Sequence, residues 1–364
     1  MSDMSAKLVR DLGGFAALGL LCYYIHREAA RQSEQQDPIV KEQKRITKVV
    51  PLWKDRAHPC MRVHLPADRG TKRHAAMIVF HGGGWSTCWG SGKGTAAWAA
   101  SNGMVGIEVE YAAVQGAHQL LDDKPVPPAA NEESVLEPLQ EGDAPYPQCL
   151  RDAGRAVRLV RSLAAEGKLP VDGDRVCACG FSAGGWLAAM LCTMDADYLA
   201  NSSEDDLGRT LSCIPNRAAL CYGVMTLAEG APTNKKLSAA VEVLLGQESY
   251  EQASLRSNLS PVRHFGEDTP PLFIWHTVQD ATVPVAHAIE AFTAAREAEL
   301  AREAENTSAA APTSAPPVTT ELHLYGAAGQ AGRHAQGLAT DNPALCGWSA
   351  QLLAWLGEEF CAPS

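Results

Sequence analysis

Gly180-Phe181-Ser182-Ala183-Gly184-Gly185 stands between a short apolar run, Arg175 to Cys179, and a helix-forming stretch, Trp186 to Leu191. The pattern G-x-S-x-G is common by itself. Between a strand and a helix it demands a tight, strained turn that lifts the serine hydroxyl above the end of a sheet. Small neighbours keep that turn free of clashes and let the helix pack close. Ser182 is therefore a candidate nucleophile for acyl transfer; a structural turn with an incidental serine is the plain alternative. His81-Gly82-Gly83-Gly84-Trp85 follows an earlier apolar run, Ala75 to Phe80. Acyl transfer builds negative charge on a carbonyl oxygen, and N–H donors aimed at that oxygen stabilise the transition state. Gly83 and Gly84, with the N–H of Ala183, are the candidate oxyanion hole. Trp85 is expected to line the substrate pocket or support this loop, with core packing as the alternative, and His81 to brace the loop.

A serine nucleophile needs a base and a group that orients the base. On a sheet of this kind the acid precedes the histidine in the chain, each just past a strand end. Of the 11 histidines, His287, His323 and His334 follow any acid candidate. His287 falls in a predicted helix and His323 inside the strand Glu321 to Tyr325, whereas His334 sits in the loop after that strand. His334 is the expected base. Asp280 follows the strand Phe273 to Thr277 by three residues and leads into Val283-Pro284. Glu267 and Asp268 lie before that strand, at its wrong end, so Asp280 is the expected acid. No metal or organic cofactor is needed for this chemistry.

The elements that must position these groups alternate between strands and helices from about residue 60, which predicts a mostly parallel sheet covered on both faces. Further strands are expected at Val105 to Tyr111, Ala218 to Tyr222 and Leu272 to Thr277. Leu150, Ala153, Val157, Val160 and Ala164 recur at helical spacing and make one apolar face. Residues 112–147, rich in proline and acidic side chains, read as an insertion. Residues 224–260 read as a small helical cap, and 306–318, dominated by Ser, Thr, Ala and Pro, as a low-complexity linker. One catalytic domain over 51–364 is expected, preceded at 1–50 by an apolar helix and a polar lead-in.

The chain has 364 residues, 46% of them apolar, and a net charge of −11 with no basic stripe, which argues against nucleic acid as a partner. Its 11 cysteines show no pair at the two-residue spacing of a zinc or redox motif. Buried free thiols are expected, which leans toward a reducing, cytoplasmic setting. Residues 12–25 are uncharged and apolar, too short for the roughly 18–20 residues of a membrane span. They match the apolar region of a signal peptide, but no clean cleavage site follows. An ordinary or interfacial helix, a secreted leader and a short membrane anchor all stay open, and with them the compartment.

The four blocks His81-Gly82-Gly83-Gly84-Trp85, Gly180-Phe181-Ser182-Ala183-Gly184-Gly185, Trp275-His276-Thr277…Asp280…Val283-Pro284 and Gly332-Arg333-His334…Gly337-Leu338-Ala339 resemble, in this order, the acetyl-xylan-esterase and feruloyl-esterase-like (BD-FAE-like) carboxylesterases. These are relatives of the hormone-sensitive-lipase esterases and of kynurenine formamidase. The resemblance runs from about residue 60 to 358. It implies the α/β-hydrolase fold, a Ser-His-Asp triad, and a small ester substrate with a short acyl group, acetylated carbohydrate among the options. The chain departs from the pattern at Ala335, where such proteins usually carry glycine. An arylformamidase-like amide hydrolase would use the same triad, and a silent binding protein on the hydrolase scaffold is the reading from another class.

Overall fold

The computed structural model describes residues 46–54, 59–68, 72–88, 91–114, 143–193, 206–207, 210–306, 319–326, 334–340, 342 and 344–362. The apolar segment 12–25, most of the insertion 112–147 and nearly all of the linker 306–318 lie outside these residues. Among the described residues, no helix is long and apolar enough to cross a membrane.

Eight strands form one sheet: β1 (Ile46–Pro51), β2 (Cys60–His64), β3 (His74–Phe80), β4 (Val105–Val109), β5 (Val171–Phe181), β6 (Arg217–Cys221), β7 (Leu272–Thr277) and β8 (Glu321–Tyr325). Their order is β1-β2-β4-β3-β5-β6-β7-β8. β2 runs antiparallel to β1 and to β4, and every pairing from β4 through to β8 is parallel. The first strand begins at Ile46, inside the segment expected to be a helical or loose lead-in. Ile46-Thr47-Lys48-Val49-Val50 is rich in β-branched residues, which favour extended backbone, and it pairs antiparallel with β2 at the edge of the sheet. β5 likewise starts at Val171, four residues before its apolar run.

Both faces of the sheet are covered, which is why its central strands are apolar throughout. Along β3, Ala76, Ile78 and Phe80 pack into one buried cluster, while Ala75, Met77 and Val79 pack into the other. The first cluster is closed by helices α2 (Gln148–Ala165) and α3 (Ala183–Leu191). The α2 stripe Leu150, Ala153, Val157, Val160 and Ala164 is wholly buried, as its spacing predicts. The second cluster is closed by α1 (Thr95–Ser101) and α8 (Trp348–Leu356). Between β6 and β7 lie three short helices in the region expected to form a cap: α4 (Lys235–Leu245), α5 (Gln247–Tyr250) and α6 (Ala253–Asn258). α7 (Ala286–Asn306) joins β7 to the residues before β8, and α9 (Glu358–Cys361) ends the described chain. The ten described cysteines are free thiols, eight of them buried. Burial pushes the Cys88 thiol up to about 12 and raises Cys149, Cys177 and Cys192 as well.

Candidate active site

β5 ends at Phe181 and α3 begins at Ala183, leaving a single residue to make the turn. That residue, Ser182, has φ 54° and ψ −116°, a conformation that side chains rarely adopt. Its N–H donates to Cys221 O at 2.9 Å, which ties the turn to the end of β6. The close approach explains the small flanking residues. A Cβ on Gly184 would lie 2.1 Å from Phe80 O, so any side chain there would push α3 off the sheet.

The base and the acid come from the next loops along the sheet edge. His334 Nε2 lies 2.6 Å from Ser182 Oγ, and His334 Nδ1 lies 2.7 Å from Asp280 Oδ2. The geometry has the serine hydroxyl donating to Nε2 and the Nδ1–H donating to the carboxylate. Asp280 is fixed in turn by the turn that follows β7: its Oδ1 accepts from Thr282 N at 2.8 Å and Val283 N at 3.0 Å. Burial alone would raise its pKa. Hydrogen bonds from His276 and His334, the His334 charge and the Thr282 N–H outweigh it and hold the carboxyl well below the usual range. Three groups far apart in sequence are thus one connected chain, with Ser182 and Asp280 on either side of the imidazole.

Two residues of this site gave no functional signal in the sequence. His276, read in the sequence as part of a strand and of one resemblance block but given no role, is completely buried, and its Nε2 lies 3.1 Å from Asp280 Oδ2 and 2.9 Å from Val283 O. Both neighbours are acceptors, so the ring carries its proton on Nε2. Tyr222, at the end of β6, sets its ring edge-on to His334 with centroids 4.9 Å apart. Its hydroxyl accepts from Gly337 N at 2.8 Å, and Trp348 Nε1 donates to Gly337 O at 3.1 Å, so the loop after the histidine is held from two sides. Ala335 in that loop takes φ 65°. The position favours glycine, as the departure at this residue leads one to expect.

The glycine loop closes the site from β3. Gly83 has φ 147°, and a Cβ there would lie 2.2 Å from Thr87 O, so the turn admits only glycine. Among the described residues, the N–H groups of Gly83, Gly84 and Ala183 have no backbone acceptor. All three residues line the cavity beside Ser182, which has a volume of about 210 Å³. Trp85 is fully buried, edge-on to Trp186 at 5.6 Å, and also forms part of that cavity's wall. It therefore packs in the core and lines the pocket together. His81 points away: its Nδ1 lies 3.2 Å from Ser91 O, and its carbonyl accepts from Tyr111 OH at 2.6 Å. Burial lowers its pKa, in keeping with a bracing role.

The two other late histidines lie outside the relay. His323 is half-buried on β8, stacked on Phe273 and 2.8 Å from Glu321 Oε2. His287 Nδ1 accepts from Met225 N at 3.1 Å and Thr226 N at 3.3 Å, while its Nε2–H donates to Pro232 O at 2.8 Å. Burial brings its pKa down to about 4.

Residues 139–294 match the family BD-FAE. Endo-1,4-beta-xylanase B of Butyrivibrio fibrisolvens is 31% identical over 157 residues, 43% of this chain and 22% of the xylanase, so the chain spans about a fifth of that relative. Among solved structures, the acetyl ester-xyloside bifunctional hydrolase of Caldicellulosiruptor lactoaceticus superposes with a TM-score of 0.62 at 26% identity, covering 85% of this chain and 94% of its own. Esterase Est2 of Thermogutta terrifontis superposes at 0.61 and 24% identity, covering 88% and 95%. That esterase has also been solved phosphonylated by sarin and with propionate bound.

Proposed function

We propose that this chain, an α/β-hydrolase by its fold and similar to the BD-FAE family over residues 139–294, is an esterase that hydrolyses short-acyl esters, acetylated carbohydrates among them, through a Ser182-His334-Asp280 triad. The observation that carries the reading is the unbroken relay, 2.6 Å from hydroxyl to imidazole and 2.7 Å from imidazole to carboxylate, opening on a cavity. Ser182 attacks the ester carbonyl while His334 takes its proton, and the N–H groups of Gly83, Gly84 and Ala183 receive the developing negative charge. His334 then gives the proton to the leaving alcohol. Water, deprotonated by the same imidazole, attacks the acyl-enzyme and releases the acid with Ser182 restored. Asp280 holds the imidazole in the tautomer that presents Nε2 to the serine, and balances its charge when it is protonated.

The short-acyl part of the reading follows from size. A cavity of about 210 Å³ walled by Val224, Leu237, Ala240 and Val283 is smaller than the ~300–1,000 Å³ of sites for drug-sized ligands. The carbohydrate part draws on the relatives, two of which are named for xylan or xyloside chemistry.

A fluorophosphonate probe should label the wild type and leave Ser182→Ala unlabelled, and p-nitrophenyl acetate turnover should vanish with it. A series from acetate to decanoate, with acetylated xylan alongside, should peak at acetate to butyrate. Faster hydrolysis of N-formylkynurenine than of any acetyl ester would replace this reading with an amidase. An unlabelled wild type would leave a scaffold without chemistry.

A further inference from the structure

We propose that Lys236 is a specificity-determining residue that selects ester substrates carrying a carboxylate group close to the scissile bond. The inference rests on the hydrolase reading above and gives its substrate a class. Helix α4 lies directly against the oxyanion loop: a Cβ on Gly84 would sit 3.6 Å from Ala240 Cβ. Lys236 precedes Ala240 by one helical turn, so the two share a face. Both line the cavity at Ser182, as does Leu237 between them. The start of the helix is fixed to the other side of the site. Asn234 caps it through Oδ1, 3.0 Å from Lys236 N, and donates from Nδ2 to Thr282 O at 3.1 Å, in the turn that holds Asp280. Lys236 thus stands on the wall between the loop that receives the oxyanion and the loop that carries the acid.

Its charge has no other evident use. Among the described residues lining the cavity, Lys236 alone bears a permanent charge; the others are apolar, glycine, hydroxyl-bearing, or the base His334. Among the described residues no carboxylate is paired with its ammonium group. The first turn of α4 holds Lys235 and Lys236 and no acidic residue, the reverse of what the helix dipole favours. Lys236 is exposed to solvent, so its ammonium group is reachable by a ligand at the cavity wall. A lysine is a compact charge on a flexible stem, suited to meeting one carboxylate at variable reach. Esters that would meet it are half-esters of short dicarboxylic acids, with the anion on the acyl side, and acetylated uronic acids, with the anion on the alcohol side.

The test compares matched substrate pairs in wild type, Lys236→Met, Lys236→Arg and Lys235→Met. On the acyl side the pair is mono-4-nitrophenyl glutarate and 4-nitrophenyl valerate; on the alcohol side, acetylated glucuronic acid and acetylated glucose. The wild type should favour the anionic member of one pair in kcat/KM. Lys236→Met should lower that preference by roughly 5- to 10-fold, mostly through KM. Lys236→Arg should retain most of it, and Lys235→Met, outside the cavity wall, should leave the ratio in place. The pair that responds identifies the side of the ester that carries the anion. A ratio unmoved by Lys236→Met in both pairs, or lowered equally by Lys235→Met, overturns the inference while fluorophosphonate labelling and neutral-ester turnover leave the hydrolase reading standing. Absence of labelling and of all turnover brings down both.

Discussion

His276 donates to the same Asp280 oxygen that accepts from His334: its Nε2 lies 3.1 Å from Oδ2, and His334 Nδ1 lies 2.7 Å away. With Thr282 N and Val283 N on Oδ1, four donors surround one carboxylate. Two of them set its rotation about the side-chain axis, and His276 shares its Nε2–H between Oδ2 and Val283 O. His276 is a positioning residue. Replacing it with phenylalanine keeps the ring volume and removes the donor, so kcat on p-nitrophenyl acetate should fall by about 10-fold, an amount typical of a lost supporting hydrogen bond, with KM nearly constant. A rise in KM at constant kcat would show that His276 shapes the pocket and not the relay.

Asp280→Asn tests the carboxylate itself. The asparagine amide retains the shape, yet it no longer balances an imidazolium and it offers a donor to Nδ1, turning the ring to the wrong tautomer. Steady-state assays should find kcat reduced ~10³–10⁴-fold. Because the surrounding donors hold this carboxyl low, it contributes stability that is complete above the ordinary aspartate range near pH 4. That contribution is lost as pH falls toward the folded-state value, so Asp280 stays ionised through any acid limb measured above pH 4. An Asp280→Asn variant with near wild-type kcat would remove Asp280 from the mechanism.

Ala335→Gly should stabilise the protein. An L-residue at φ 65° is strained, and glycine is not, although glycine loses more entropy on folding. The net gain expected in urea denaturation is about 0.5–1 kcal/mol. A loss of stability would mean that the alanine methyl makes packing contacts worth more than the strain.

His287 should make stability fall in mild acid. Its Nδ1 faces two backbone N–H groups, so protonation there would break both hydrogen bonds. The folded protein keeps this ring neutral down to about pH 4, whereas the unfolded chain protonates it near 6.5. Between those values the unfolded state binds the extra proton, so stability decreases as pH falls through the window and levels off below it. The displacement corresponds to about 3 kcal/mol. Urea denaturation at several pH values from 7.5 to 4.5 should show a steeper decline for the wild type than for His287→Gln, which starts lower at pH 7.5. Parallel declines would mean that other groups set the acid sensitivity.

The order Ser182, Asp280, His334 could be read from the sequence because each follows an apolar run at a strand end. Burial on both faces of a parallel sheet makes such runs continuous and easy to see in β3 and β7. β1 and β2 were hidden because each is short and interrupted by a cation, Lys48 exposed on the edge strand β1 and Arg62 buried in β2 against Glu110. His276 was hidden for the opposite reason: it sits inside an apolar strand, and nothing local reveals that its ring turns toward Asp280. Tyr222 and Lys236 acquire their places through neighbours distant in the chain, His334 for one and Ala240 over Gly84 for the other. Spacing along the sequence carries no trace of such encounters.

The thiols enclosed by the two cores can serve as a clock. Alkylating reagents attack thiolates, and burial denies Cys88, Cys149, Cys177 and Cys192 both solvent and ionisation. Of the described cysteines only Cys346 is exposed and only Cys361 partly so. Slow modification of the eight buried thiols therefore counts molecules that have come apart, and its rate reports how often the sheet opens.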